Sequence, residues 1–305
     1  MPSLRQIEYL VALDDARHFR KAAEKVGVSQ PTLSAQLRAL EQRLGVQLVE
    51  RSRSSVLLTP VGRQVLAAGR RILRDVQEIR DLAAGQRGTL GGTIRIGLPP
   101  TIGPYLLPRM VPELHRKYPD LKLYVREEIP NALPGALADG VHDVILIALP
   151  LRRDDFNCVA MFREPLFVVV PEDHALAAKG FVERSDLNGE AVLALERGHQ
   201  LHEQVEAICD DFGARLLFDY EGTSLDTLRQ MIAMGMGLSF LPGLFVETSL
   251  GRGTGVVALE LKDRSLYRTI GMAWRRTSAR ENEYQALLGY VRAAVEREFT
   301  HAELL

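Results

Sequence analysis

Residues 19–53 read FRKAAEKVGVSQPTLSAQLRALEQRLGVQLVERSR, and the rest of the chain is organised around this stretch. It predicts two short helices joined by a tight turn and followed by a basic loop. Arg20–Lys25 forms the first helix, with Ala22, Ala23 and Val26 on its inner side. Gly27-Val28 breaks it, because glycine supplies the backbone freedom that a sharp turn needs. Ser29 can cap a second helix by accepting an orphan backbone N–H. Pro31 fits the first helical turn, where its missing N–H costs nothing. Leu33, Leu37, Leu40 and Leu44 recur at steps of 4, 3 and 4, which makes one apolar stripe. Gly45 ends the helix.

The other face of the second helix carries Gln30, Thr32, Ser34, Gln36 and Arg38. Amides pair bidentately with adenine, arginine pairs with guanine, hydroxyls reach phosphates, and a slim helix fits the major groove. Gln30, Pro31, Thr32, Ser34 and Arg38 are therefore the expected groove residues. Arg51 and Arg53, on a Ser-rich loop, are expected on phosphate or in the minor groove. The same spacing also suits an ordinary helical hairpin with a solvated polar face. Charge distribution favours the DNA reading. Residues 1–87 hold 15 Lys and Arg against 9 Asp and Glu, a balance of +6, while the remainder holds 23 against 30, a balance of −7.

Length and composition set the outer bounds. With 305 residues and a hydrophobic fraction of 46%, the chain is long enough for two or three globular domains. No apolar run approaches the ~20 residues that span a bilayer, and MPSLRQIEY lacks the apolar core of a signal peptide. Two cysteines are too few for a disulfide scaffold. The cytoplasm is the expected compartment, and no membrane partner or cofactor is expected.

Ser3 can cap a first helix containing Leu4, Ile7, Leu10, Val11 and Leu13. Thr59-Pro60 is a helix start, and a long helix to about Ala84 follows. Val65, Gly69, Ile72, Val76, Ile79 and Ala83 step by 4, 3, 4, 3 and 4, a heptad-like seam suited to homodimerisation. A helix packed on its own domain is the alternative. QRGTLGG at 86–92 has no apolar pattern and is expected to be a hinge. From Thr93 onward short apolar strands alternate with helices, which predicts mainly parallel sheets covered on both faces. About 215 residues of this kind suggest two subdomains with a cleft. Three loops precede helices and offer hydroxyls or free N–H groups to a polar effector: Pro99–Pro104 with Thr101, Gly198-His199-Gln200, and Gly222-Thr223-Ser224. Plain capping is the alternative for each.

AAEKVGVSQPTLSAQLRALEQRLGVQLVER and LLTPVGRQVL closely resemble the winged helix-turn-helix of LysR-type transcriptional regulators. The resemblance continues through the chain and implies its architecture. The expected fold is α/β, with an N-terminal winged helix-turn-helix (1–58), a long linker helix and hinge (59–87), and a two-subdomain periplasmic-binding-protein-like effector domain (88–305). Subdomain I would hold about 88–163 and 268–305, and subdomain II about 164–267. It also implies double-stranded operator DNA as partner, a homodimer through the linker helix, a homotetramer, and RNA polymerase as a further partner.

PTIGPYLLPRMVPELHRKYPDLKLYV, LALERGHQLHEQVEAIC and GTSLDTLRQMIAMGMGLSFLPGL look like the peroxide-sensing OxyR branch of that family. In that branch a Gly-His pair precedes a peroxidatic cysteine, with a resolving cysteine nine residues later. Here Gly198-His199 is followed by Gln200, and Cys209 stands at the resolving position. Glutamine forms neither thiolate nor disulfide. Thr101 matches the branch's residue near the peroxide, and Pro130 stands where a second pocket threonine is frequent. The effector and redox candidates are Thr101, His199, Gln200, Cys209 and Thr223. Three readings stay open: a regulator that has exchanged thiol switching for a small-molecule effector, a redox regulator using Cys209 alone or with Cys158, or an introduced substitution at position 200.

Rival classes are weaker. His199, His202, Glu203, Glu206 and Cys209 lie within eleven residues and could form a metal sensor or metalloenzyme site, although no standard zinc spelling is present. A G-x-S-x-G elbow, a Walker A loop and a G-x-G-x-x-G after a strand are all missing, so an enzyme is not expected.

Overall fold

A computed structural model describes residues 1–51, 56–83, 90–218, 222, 224–251, 253–262 and 266–305. The chain folds as two compact units, Met1–Arg87 with Asp139–Val141, and Gly88–Ala138 with His142–Leu305.

The first unit begins with α1 (Leu4–Ala16), α2 (Phe19–Lys25) and α3 (Gln30–Leu44). Ser3 caps α1 in a reciprocal capping box with Gln6. Ser29 caps α3 by accepting from the Thr32 N–H. Gly45 closes α3 at φ +67°, in the left-handed region. Leu33, Leu37 and Leu40 are buried with Leu10, Leu13, Ala22 and Ala23, so the apolar stripe faces one shared core. Strands β1 (Val49–Arg51) and β2 (Val56–Leu58) form an antiparallel hairpin. Then α4 runs from Pro60 to Ala83, with the Thr59 hydroxyl accepting from the Gly62 N–H.

The seam on α4 divides into two halves. A side chain at Gly69 would place its Cβ 2.6 Å from Ile7 of α1, so close approach demands glycine there. Leu66 is in the unit's core, and Arg70 pairs with Asp14 and Asp15 at 3.0 and 2.7 Å. The start of the seam therefore packs on its own unit. Beyond it, Ile72 and Ile79 are 42% and 65% exposed.

The second unit contains β3 (Thr93–Leu98), α5 (Gly103–Lys117), β4 (Lys122–Glu127), α6 (Leu133–Ala138) and β5 (Val144–Ala148). A long strand, β6 (Phe156–Pro171), follows, then β7 (Phe181–Val182), β8 (Ala191–Val192), α7 (Gln200–Phe212) and β9 (Arg215–Leu216). The chain ends with α8 (Leu225–Ala233), β10 (Ser239–Pro242), α9 (Gly243–Ser249), β11 (Val256–Leu261), β12 (Tyr267–Arg275), α10 (Glu281–Glu298) and β13 (Glu303–Leu304).

The strand order β4-β3-β5-β12-β6-β11-β7 corrects the expectation of mainly parallel sheets. Among the described residues, β3 pairs parallel with β4 and β5, β7 with β11 and β8 with β9, and Val192 bridges Leu238 in the same sense. Every strand paired to β6 is antiparallel to it, and β12 is antiparallel to β5. The reason is that β6 and β12 are return crossings rather than βαβ steps. The first half of β6 pairs with β12 and β13, and its second half with β10 and β11. One strand thus belongs to both halves of the sheet system. The apolar run at 191–195 contributes only Ala191–Val192 as strand.

Candidate functional site

The polar face of α3 is presented to solvent. Gln30, Pro31, Thr32 and Arg38 are exposed and Ser34 is half-buried. Arg38 and Gln30 have no side-chain partner among the described residues, so their donors and acceptors are available. The Thr32 hydroxyl lies 2.7 Å from the Ser29 hydroxyl, within the cap. Gln36 is exposed as well, and its amide oxygen accepts from Gln6 of α1 at 3.1 Å. The side chain of Arg51, and Arg53 and Thr223 altogether, lie outside the described residues.

In the second unit, a buried chain of charge joins the loop after β3 to the two crossing strands. Arg268 on β12 donates to the Thr101 hydroxyl at 3.1 Å and to the Thr101 carbonyl at 2.8 Å. Its Nε donates to Glu164 on β6 at 2.7 Å. The other Glu164 oxygen accepts from the Leu244 N–H at the start of α9, also at 2.7 Å. Arg268 and Glu164 are 4% and 0% exposed along their side chains, and Thr101 is buried too. Burial pushes the Glu164 carboxyl up, and Arg268 and the Leu244 N–H pull it back. Nearby, the Tyr105 hydroxyl of α5 donates to Asp226 of α8 at 3.2 Å, and burial followed by Asp226 raises the phenol's pKa.

Residues 198–202 form the second constellation. Gly198 adopts φ +100°, a conformation open to glycine, and its missing Cβ faces Ile129 and Asn131, which flank Pro130. His199 is the N-cap of α7, yet its ring makes no capping bond. It is 1% exposed. His202 donates from Nδ1 to the Leu195 carbonyl at 2.6 Å. Four buried atoms here have no partner among the described residues: His199 Nδ1 and Nε2, Gln200 Oε1 and His202 Nε2. Such orphans are uncommon in native interiors and mark a place that needs a physical reason. Burial holds the His199 pKa below its ordinary value, Glu196 opposes that shift, and His202 adds to it. The structure joins Thr101 to Arg268. Among the described residues, no hydrogen bond or ion pair joins Thr101 to His199 or Gln200.

Gln200 and Cys209 share one unbroken helix. At a rise of ~1.5 Å per residue their α-carbons lie about 13 Å apart, whereas a disulfide needs them within about 7 Å. The Cys209 thiol is buried, and burial, then Asp210 and Glu206, pushes its pKa up to about 11. Cys158 is exposed on β6. The candidate metal set does not assemble: among the described residues no three His, Cys, Asp or Glu side chains converge on a cation-sized site. Arg268 and Glu164 were not legible as site residues, because their pairing spans 104 positions. The only sequence signal was their place at the two expected crossings.

Two family models match the chain. Residues 4–63 fit the bacterial regulatory helix-turn-helix protein, lysR family, and residues 87–296 fit the LysR substrate binding domain. The DNA-binding transcriptional dual regulator OxyR of Escherichia coli K12 is 40% identical over 297 residues, 97% of each chain. The hydrogen peroxide-inducible genes activator of Haemophilus influenzae is 37% identical, over 95% of this chain and 96% of that one. A full-length OxyR variant from Pseudomonas aeruginosa superposes with a TM-score of 0.81 at 36% identity, covering 98% and 97% of the two chains. A hydrogen-peroxide-bound OxyR mutant from Corynebacterium glutamicum gives 0.67 at 31%, covering 98% and 94%.

Proposed function

Because the chain belongs to the LysR family and is an OxyR-like transcriptional regulator, we propose that it binds operator DNA through α3 and switches without a disulfide. The observation that carries this reading is Gln200 at the first position of α7, with Cys209 buried on the same helix. A glutamine amide has no thiolate to attack peroxide.

Gln30, Pro31, Thr32, Ser34 and Arg38 enter the major groove, and Arg51 and Arg53 contact phosphate or the minor groove. The exposed half of the α4 seam pairs two chains, and two such dimers form a tetramer on an extended site. Two recognition helices then meet half-sites about one helical turn apart. RNA polymerase is the further partner and the cytoplasm the compartment. The chain carries out no turnover. A small polar effector is held around Thr101, His199, Gln200 and Thr223, and the Thr101–Arg268–Glu164 chain passes its presence to both crossing strands. The names of the relatives support an oxidative-stress set of target genes; Gln200 separates the input chemistry from theirs.

Selection of binding sequences from a random DNA library by the full chain tests the reading. Enrichment of a two-fold-related site is expected. Recovery without any sequence preference would remove the DNA-reading role of α3.

A further inference from the structure

The start of α7 carries an unusual burden for a helix N-terminus. Its N-cap imidazole is buried with both nitrogens unpartnered, and a second buried imidazole follows three residues on with Nε2 unpartnered. Between them, the Gln200 amide oxygen is buried without a donor. The positive end of the helix dipole disfavours a cation at this position. The charged and titratable groups that act on His199 are Glu196 in the preceding loop and His202 on the same helix. Among the described residues, no acidic group hydrogen-bonds its ring.

We propose that the first turn of α7 is a proton-responsive switch, in which His199 takes up one proton from solvent and the turn carrying Gln200 opens. The proposal rests on the reading above that the effector domain switches without a disulfide and holds its effector around His199 and Gln200. It places acidity among the signals of a chain whose Gln200 has no thiol chemistry.

The direction follows from linkage. In the folded turn, burial holds the His199 pKa below its ordinary value of 6.5. In the opened turn the ring meets water and regains that value. The opened form therefore binds more protons, and stability of the turn rises with pH across the window below 6.5. It is complete above that value and lost progressively as pH falls beneath it. At pH 5.5 an imidazole released to water favours the open form by up to about tenfold. Glu196 offsets part of the effect, because it favours the charged ring.

Hydrogen–deuterium exchange of the full chain at pH 5.5 and 7.5, corrected for intrinsic exchange, reads the opening directly. The expected result is faster exchange at the start of α7 at pH 5.5, up to about tenfold, with α5 and α10 unchanged. His199→Gln should abolish the difference. Equal exchange at both pH values in the unsubstituted chain would overturn the proposal, as would a full response in His199→Gln. If that variant does not fold, His199→Asn and the wild-type profile decide in the same way. Footprinting of the selected DNA at the two pH values forms a separate arm. An α7 response with an unchanged footprint would sever the switch from DNA control, and so overturn the reading that events around His199 and Gln200 govern DNA binding rather than the proton sensitivity of the turn.

Discussion

Arg268 holds Thr101 by its hydroxyl and its carbonyl at once, while its remaining donor face is locked to buried Glu164. The guanidinium's planar fork makes this possible; a lysine point charge could not satisfy three acceptors in these directions. Removing one partner leaves the other charged and buried. Arg268→Ala or Glu164→Ala should each cost about 3–5 kcal/mol, and the double variant Glu164→Ala with Arg268→Ala should cost less than the two single changes together. Urea denaturation of the four proteins checks this. Additive losses would show that the pair does not act as a unit.

The two thiols should separate kinetically. With Cys209 near pKa 11, only about one thiol in a thousand is ionised at pH 8. Exposed Cys158 should be alkylated first by iodoacetamide in the native protein, although burial of part of its side chain also raises its pKa. Cys209 should label only as the helix opens. Mass spectrometry of partially labelled protein gives the order, and prior labelling of Cys209 would contradict the burial.

At the proposed DNA interface, Gln30 and Arg53 should make different contributions. Gln30→Ala should lower affinity for the selected site by about 1–3 kcal/mol and relax base preference at one position. Arg53→Ala should weaken binding to all sequences and reduce the salt slope by about one unit. Binding titrations at several salt concentrations separate the two. An unchanged preference in Gln30→Ala would move the base contact elsewhere on α3.

Ile79 is the most exposed apolar residue of the described α4 seam. Ile79→Glu should weaken dimerisation at least about tenfold, since it places a charge in an apolar interface. Sedimentation equilibrium measures it. A dimer of unchanged strength would return the seam to a solvated face.

Gly97 on β3 touches the ring of buried His142, where an added Cβ would lie 2.5–2.8 Å from three ring atoms. Gly97→Ala should destabilise the second unit by about 1–3 kcal/mol. A thermal melt tests it, and neutrality would mean that the ring can move.

The local devices of this fold were legible because each is written within a few residues. Ser3, Ser29 and Thr59 cap the helices they precede, and Leu33, Leu37 and Leu40 enter the core at the spacing that announces them. The continuity of β6 was not legible. Arg163-Glu164-Pro165 interrupts its apolar pattern, and only the antiparallel neighbours show that the strand runs through. Glu164 and Arg268 look like surface charges in a string, and their burial is tolerable only because they meet. The importance of Gln200 was visible from sequence, whereas the orphaned nitrogens of His199 required three dimensions.

Titrating the reduced full chain with hydrogen peroxide, while counting thiols by mass and footprinting the selected DNA, tests switching without a disulfide. Both cysteines should stay reduced at stoichiometric peroxide, and the footprint should hold. Rapid oxidation of Cys209 or Cys158 with a changed footprint would contradict the account and establish a rewired thiol sensor.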